Sequence, residues 1–293
     1  MKRRWLVSVL VVLFTLGWVA FVQAGEHGHQ KATKKGILLV AFGSSMPEAQ
    51  VSFQNIDKKV KAAFPGVPVR WAYTSAIIRH KLAREEGRQL DSVEMAMAKM
   101  IDEEFTHVAV QSLHTIGGEE YHELLKIVHG FKNMGAFQKV TVGYPLLGTE
   151  DDLARVVDAM IRNIPGKRRK KEAVVYMGHG TPHPSNAFYA AMLYHFQQKD
   201  PNIFVGTVEG TPSIDDAKAF LLENRFKTAY LIPFMSVAGD HARNDMAGPE
   251  ADSWKSILTK AGIQCKTVLK GSAEYDDIVA VWVDHLDTAF NHL

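Results

Sequence analysis

From residue 36 onward, short apolar runs alternate with longer stretches of amphipathic pattern. Gly36–Phe42 reads as a buried strand, followed by the turn Gly43-Ser44-Ser45 and a helical pattern from Pro47 to Phe64. Val69–Tyr73, His107–Leu113 and Val140–Tyr144 repeat the strand signal. Ser75–Leu82, Ser92–Glu104, Glu119–Phe131 and Asp151–Asn163 carry the helical one. The order then begins again. Strands are expected at Ala173–Met177, Ile203–Val208, Ala229–Met235 and Gln264–Leu269. Helices are expected at Asn186–Gln198, at Ser213–Glu223, within Asp252–Ala261 and at Asp276–Asn291. Strand and helix in alternation predict parallel sheets covered on both faces.

The two halves match by pattern. GILLVAFGSS aligns with AVVYMGHGTP, VRWAYTSAIIRHKL with IFVGTVEGTPSIDDAKAFL, and FTHVAVQSLHTIGGEEY with FKTAYLIPFMSVAGDHARND. Three matches in one order indicate an internal duplication. The expected fold is α/β, with two similar lobes, each a parallel sheet flanked by helices. Residues 36–165 form the first lobe and 172–293 the second, with a ligand cleft between them. Pro165–Lys171 is the join; its basic run reads as a solvated linker.

Residues 1–24 stand apart. Lys2-Arg3-Arg4, the uncharged stretch Trp5–Val22 and the small residue Ala24 make a secretory signal peptide, cleaved after residue 24. An uncleaved membrane anchor is the alternative. Residues 25–35 read as a flexible lead-in carrying His27 and His29. The remainder is ordinary for a globular protein, with 46% hydrophobic and 23% charged residues and a net charge of +2. Nothing in that balance points to nucleic acid. A single cysteine, Cys265, excludes an internal disulfide and a cysteine-based zinc site.

Candidate chemistry gathers at strand ends of the second half. His179 follows one apolar run between two glycines, Glu209 ends a second, and His241 follows a third in VAGDHARNDMAG. Ligands of open α/β sheets bind beyond the carboxyl ends of the strands. Two imidazoles and a carboxylate suit Co²⁺, Ni²⁺, Zn²⁺ or Fe²⁺. Gly178 and Gly180 leave room for a ligand to approach the backbone. Thr181 and Ser185 are expected to cap the helix that follows, Ser44 and Ser45 the equivalent helix of the first half, and such helix starts suit carboxylates. Asp240 or Asp245 is placed to orient His241, and Arg243 to pair with a ligand carboxylate. His114 is a structural residue or part of the cleft wall. His122 and His129 fall on an exposed helix face, and His183 and His195 read as surface or supporting residues. Met95, Met97 and Met100 recur at helical spacing and read as core.

GILLVAFGSS, VQSLHTIGGEEY, YMGHGTPHPSNAFY, VGTVEGTP and PFMSVAGDHARNDMAG together resemble the anaerobic cobaltochelatases of the CbiK type, class II chelatases of cobalamin biosynthesis. The resemblance covers the whole chain after the signal peptide. It implies insertion of Co²⁺ into sirohydrochlorin, a tetrapyrrole with eight carboxylates, without ATP. It implies His179, Glu209 and His241 as metal ligands, with His179 and His241 also accepting pyrrole protons. Ser44, Ser45, His114, Gly180, Thr181 and Arg243 are the expected substrate-binding residues. The turn is Gly-Ser-Ser where relatives often have Gly-Thr-Ser. A homo-oligomer is implied, and the export signal points to the periplasmic variety. There a link to metal or haem transport, or a haem or metal carrier on the same fold, is the alternative function. Fe²⁺ is the alternative metal. If haem b is held between subunits, His122 is the first axial-ligand candidate.

Overall fold

The apolar runs become two sheets of four parallel strands with the same topology. The computed structural model describes residues 32–293. The expected signal peptide at 1–24 and residues 25–31 of the lead-in lie outside the described residues. In the first sheet the strands are β1 (Lys35–Ala41), β2 (Val69–Tyr73), β3 (His107–Ser112) and β4 (Lys139–Gly143), in the order β2-β1-β3-β4. The second sheet holds β5 (Ala173–Gly180), β6 (Ile203–Glu209), β7 (Thr228–Pro233) and β8 (Gln264–Thr267), in the order β6-β5-β7-β8. The orders correspond strand for strand, so the duplication expected from pattern is present in topology.

Side chains alternate across a strand, so each central strand feeds two cores. Ile37, Leu39 and Ala41 of β1 face one way, and Leu38 and Val40 the other. Val174 and Tyr176 of β5 share a core with Ile37 and Leu39, whereas Ala173, Val175 and Met177 face a core of their own. Buried on both faces, such strands read as unbroken apolar runs.

The helices are α1 (Gln50–Ala63), α2 (Ala76–Glu86), α3 (Val93–Asp102), α4 (Glu119–Asn133) and α5 (Glu150–Arg162), then α6 (Ala187–Lys199), α7 (Ile214–Glu223), α8 (Trp254–Lys260) and α9 (Asp276–Asn291). Two of them change sides. Helix α5 leaves the first sheet and packs on α6, and α9 leaves the second sheet and packs on β3 and β4. Thr141 Oγ1 donates to the Ala289 carbonyl at 2.9 Å, and Trp282 Nε1 donates to the His114 carbonyl at 3.4 Å. His285 of α9 has its Nδ1 3.2 Å from the Tyr144 carbonyl oxygen and its Nε2 3.1 Å from Asp152 of α5, bolting the exchanged helices together. This exchange is why one core, with Val156, Val157 and Trp282 in it, runs through both lobes.

Local expectations shift in places. Strand β5 does not stop at Met177. Pairing continues through Gly178↔Thr207 and Gly180↔Glu209, so His179 sits within the strand. Neither α1 nor α6 is capped by the expected hydroxyls. Each is entered through a single 3₁₀ turn headed by proline, Pro47–Ala49 and Pro184–Asn186, and the second turn is capped by the His183 ring. Met97 and Met100 are core, but Met95 is exposed, because α3 turns that edge to solvent. The basic run at the join is partly built in: Arg168 pairs with Asp200, and Arg169 and Lys266 both pair with Glu172. Those cations, Lys266 first, draw the Glu172 pKa down to about 2.

Candidate metal centre

His179 is delivered by the two glycines beside it. A side chain on Gly178 would lie 2.3 Å from the Tyr189 ring. Gly180 has φ +79, and a Cβ there would lie 1.6 Å from the Glu209 carbonyl oxygen. The room expected for a ligand is filled by the protein's own chain, and the imidazole is the side chain left at the strand end. Burial beneath it lifts the Tyr189 pKa to about 12, against the opposing pull of the Gly180 and His179 N–H groups.

His241 heads a π-helical turn, Ala242–Met246. Such turns are rare and gather at functional sites. The turn brings Asp245 Oδ2 to 2.5 Å from His241 Nδ1. Of the two aspartates expected to orient the ring, Asp245 does so, and Asp240 is held by Asn244 Nδ2 at 2.8 Å. Arg243 Nε donates to the Ala238 carbonyl, with Glu48 of the first lobe 4.0 Å away.

The two imidazoles meet edge to face, with ring centres 4.6 Å apart and planes at 90°. His179 Nδ1 lies 2.9 Å from the Gly180 carbonyl oxygen. That carbonyl and an ionised Asp245 are acceptors, so both rings carry hydrogen on Nδ1. Each Nε2 then keeps its lone pair for a metal or a proton. Metal–nitrogen bonds of about 2.0–2.1 Å put an ion roughly 3.2 Å from each ring centre. Two imidazoles on one ion, at right to tetrahedral angles, therefore have centres about 4.5–5.2 Å apart. The observed pair lies within that range.

Glu209 is exposed at the end of β6, paired through its backbone with Gly180. Among the described residues, no three side chains of His, Cys, Asp or Glu converge to hold an ion. The structure thus brings His179 and His241 together and leaves Glu209 at the rim.

The facing wall comes from the first lobe. Phe42 is 43% exposed at the end of an otherwise buried strand, its ring centre 6.5 Å from that of His179. Ser44 is buried, and its Oγ accepts from the Met46 N–H and lies 3.2 Å from where a Gly239 side chain would start. Ser45 is half-buried beside it. Thr181 Oγ1 accepts from the His183 N–H. His114 lies 2.9 Å from Ser112 Oγ and 3.4 Å from Thr74 Oγ1. Removal from water pulls its pKa down to about 4, with Glu120 opposing. His122 is exposed on α4, its Nδ1 bonded to the Gly118 carbonyl, and its ring lies 5.1 Å from that of His183. His183 Nδ1 accepts the Ser185 N–H, so in the neutral ring the outward nitrogen carries hydrogen, unlike those of His179 and His241. His129 is exposed, and His195 lies 3.3 Å from Glu150. Phe42, Tyr189 and Asn186 were not singled out by sequence; the first two fill or face the His179 position, and only the fold shows that.

The strand registers define which residues of the two copies correspond. Carried just past the last pair, Ala41↔Tyr73, the register makes Phe42 the counterpart of His179 and Ser75 that of Glu209. Carried past β3 and β7 without a gap, the register makes Glu120 the counterpart of His241. The set His179, Glu209 and His241 therefore occurs in one copy alone.

The family model for cobalt chelatase (CbiK) matches residues 35–291. Sirohydrochlorin cobaltochelatase CbiKC of Nitratidesulfovibrio vulgaris is 43% identical over 276 residues, covering 94% of this chain and 98% of that protein. The sirohydrochlorin cobaltochelatase of Salmonella typhimurium is 34% identical over 259 residues, covering 88% and 97%. Among solved structures, SirB from Bacillus subtilis with Fe³⁺ superposes with a TM-score of 0.60 over 89% of this chain and 97% of its own, at 16% identity, a likeness of fold. Shared topology and identity along almost the entire length give one conclusion: this chain belongs to the cobalt chelatase (CbiK) family.

Proposed function

We propose that this protein inserts Co²⁺ into sirohydrochlorin, the reaction for which its relatives in N. vulgaris and S. typhimurium are named, and that it does so without ATP. The observation that carries the reading is the edge-to-face pair His179 and His241, each with Nε2 free. The incoming ion releases water to solvent and takes the two Nε2 lone pairs in its place, and the Glu209 carboxylate turns inward as third ligand. The macrocycle docks beside the His pair, with the exposed Phe42 ring suited to its flat apolar face. Ser44, Ser45, His114, Gly180, Thr181 and Arg243 serve its carboxylate-bearing periphery.

Insertion exchanges one Co²⁺ for two pyrrole protons. As the ion passes to the four pyrrole nitrogens, each imidazole regains its Nε2 lone pair and takes one proton. A positioned imidazole is the commonest side chain for such a proton transfer. Asp245 stabilises the resulting His241 imidazolium. Holding ion and ring face to face removes much of the entropic cost of their meeting.

Mixing the purified protein anaerobically with sirohydrochlorin and Co²⁺, and following the absorption change, tests the reading. Insertion well above the enzyme-free rate is expected; a rate equal to that control removes the proposal. Export through residues 1–24 is part of the same proposal, and recovery of a periplasmic chain beginning at Gly25 is its check.

A further inference from the structure

Asn186 joins the two loops that follow His179 and Glu209. Its Oδ1 accepts from the Thr181 N–H at 3.1 Å, and its Nδ2 donates to the Thr211 carbonyl at 2.6 Å. Thr181 is two residues beyond His179, and Thr211 two beyond Glu209. One carboxamide therefore spans the distance between the carriers of two expected ligands. Gly210, at φ +103, leaves it space: a Cβ there would stand 3.0–3.2 Å from the Asn186 amide atoms.

The duplication supplies a control. The 3₁₀ turns Pro47–Ala49 and Pro184–Asn186 correspond, so the counterpart of Asn186 is Ala49. The first copy builds the same strand, turn and helix with alanine at this place. A carboxamide is thus not required by the local fold. It occurs in the copy that carries the histidines and the glutamate, across the gap that separates them.

We propose that Asn186 is a positioning residue of the metal centre, setting the reach of Glu209 toward an ion on His179 and His241. Freed from the bridge, the 209–212 loop samples more positions, and ordering it on binding costs affinity. The inference rests on Glu209 being a ligand.

Co²⁺ titration of the intact protein, read by the cobalt ligand-field absorption, separates the two claims. Glu209→Gln, Asn186→Ala and the double variant are compared with wild type. Asn186→Asp keeps the acceptor for Thr181 and loses the donor to Thr211. The expected result is a ten- to hundredfold loss of Co²⁺ affinity in Asn186→Ala, the range for partners that orient a ligand. The same altered spectrum is expected in Glu209→Gln, a similar direction of change in Asn186→Asp, and no further loss in the double variant. Thermal midpoints within about 2 °C of wild type are expected, given the alanine in the first copy. Wild-type affinity in Asn186→Ala, with Glu209→Gln impaired, overturns the inference alone, as do losses that multiply in the double variant. Wild-type affinity in Glu209→Gln overturns the ligand reading and the inference together.

Discussion

Phe42 and His179 occupy equivalent positions in the two copies of the repeat, and their ring centres lie 6.5 Å apart with planes at 51°. One copy has an apolar ring where the other has the proposed metal ligand, and Phe42 is proposed to meet the flat face of the macrocycle. Replacing Phe42 with alanine should raise KM for sirohydrochlorin about tenfold, the effect of losing roughly 1.4 kcal/mol of apolar burial. Co²⁺ affinity measured without tetrapyrrole should stay within twofold. Weakened metal binding, with KM intact, would assign Phe42 to the ion and not to the macrocycle.

Asp245 decides which nitrogen of His241 faces the cleft. Asn at this position can present an amide hydrogen to Nδ1 and favour the other tautomer, which blocks Nε2. Asp245→Asn should lower Co²⁺ affinity ten- to hundredfold, as loss of such a partner commonly does. Calorimetric titration with Co²⁺ reads this directly. Asp240→Asn, which touches Asn244 and not the ring, should leave the affinity near wild type.

Gly180 has no tolerable substitute. Alanine would place a methyl on the Glu209 carbonyl and force a side chain into φ +79. Left-handed backbone alone costs an ordinary residue about 1–2 kcal/mol, and the collision adds to it. Gly180→Ala should lose at least about 2 kcal/mol in urea denaturation and should fail to bind Co²⁺. Equal stability would mean that the β5–β6 junction is looser than its pairing suggests.

His114 makes the fold acid-sensitive. Its pKa is about 4 in the folded chain against 6.5 in the unfolded one, because burial disfavours the charged ring. Above pH 6.5 the ring is neutral in both states and contributes no pH dependence. Between 6.5 and 4 the unfolded chain binds the proton and the folded chain does not, so stability falls as pH falls. The full difference is about 3 kcal/mol, reached near pH 4. His114→Asn should flatten this part of the denaturation profile. A profile unchanged by the substitution would show the acid loss to come from other groups.

Much of this arrangement was legible in the sequence. Strands buried on both faces leave apolar runs, and a histidine after such a run stands out: His179 between two glycines, His241 beyond the run that became β7. The exchange of α5 and α9 was not legible, because an amphipathic pattern says which face is buried and not what covers it. The continuation of β5 through Gly178-His179-Gly180 was hidden by its glycines, which read as room for a ligand but here admit Tyr189 and the next strand. The choice of Asp245 over Asp240 depends on a π-helical turn that no local preference announces. Asn186 was missed because both its partners lie on backbone, one of them twenty-five residues away.

The central claim is that the His179 and His241 imidazoles hold the ion and take the pyrrole protons. Single-turnover insertion of Co²⁺ into sirohydrochlorin, measured anaerobically for wild type, His179→Ala and His241→Ala, tests it most directly. The account predicts fast insertion by wild type and near-abolition in each variant, with sirohydrochlorin still bound. Insertion at the wild-type rate in both variants would contradict it.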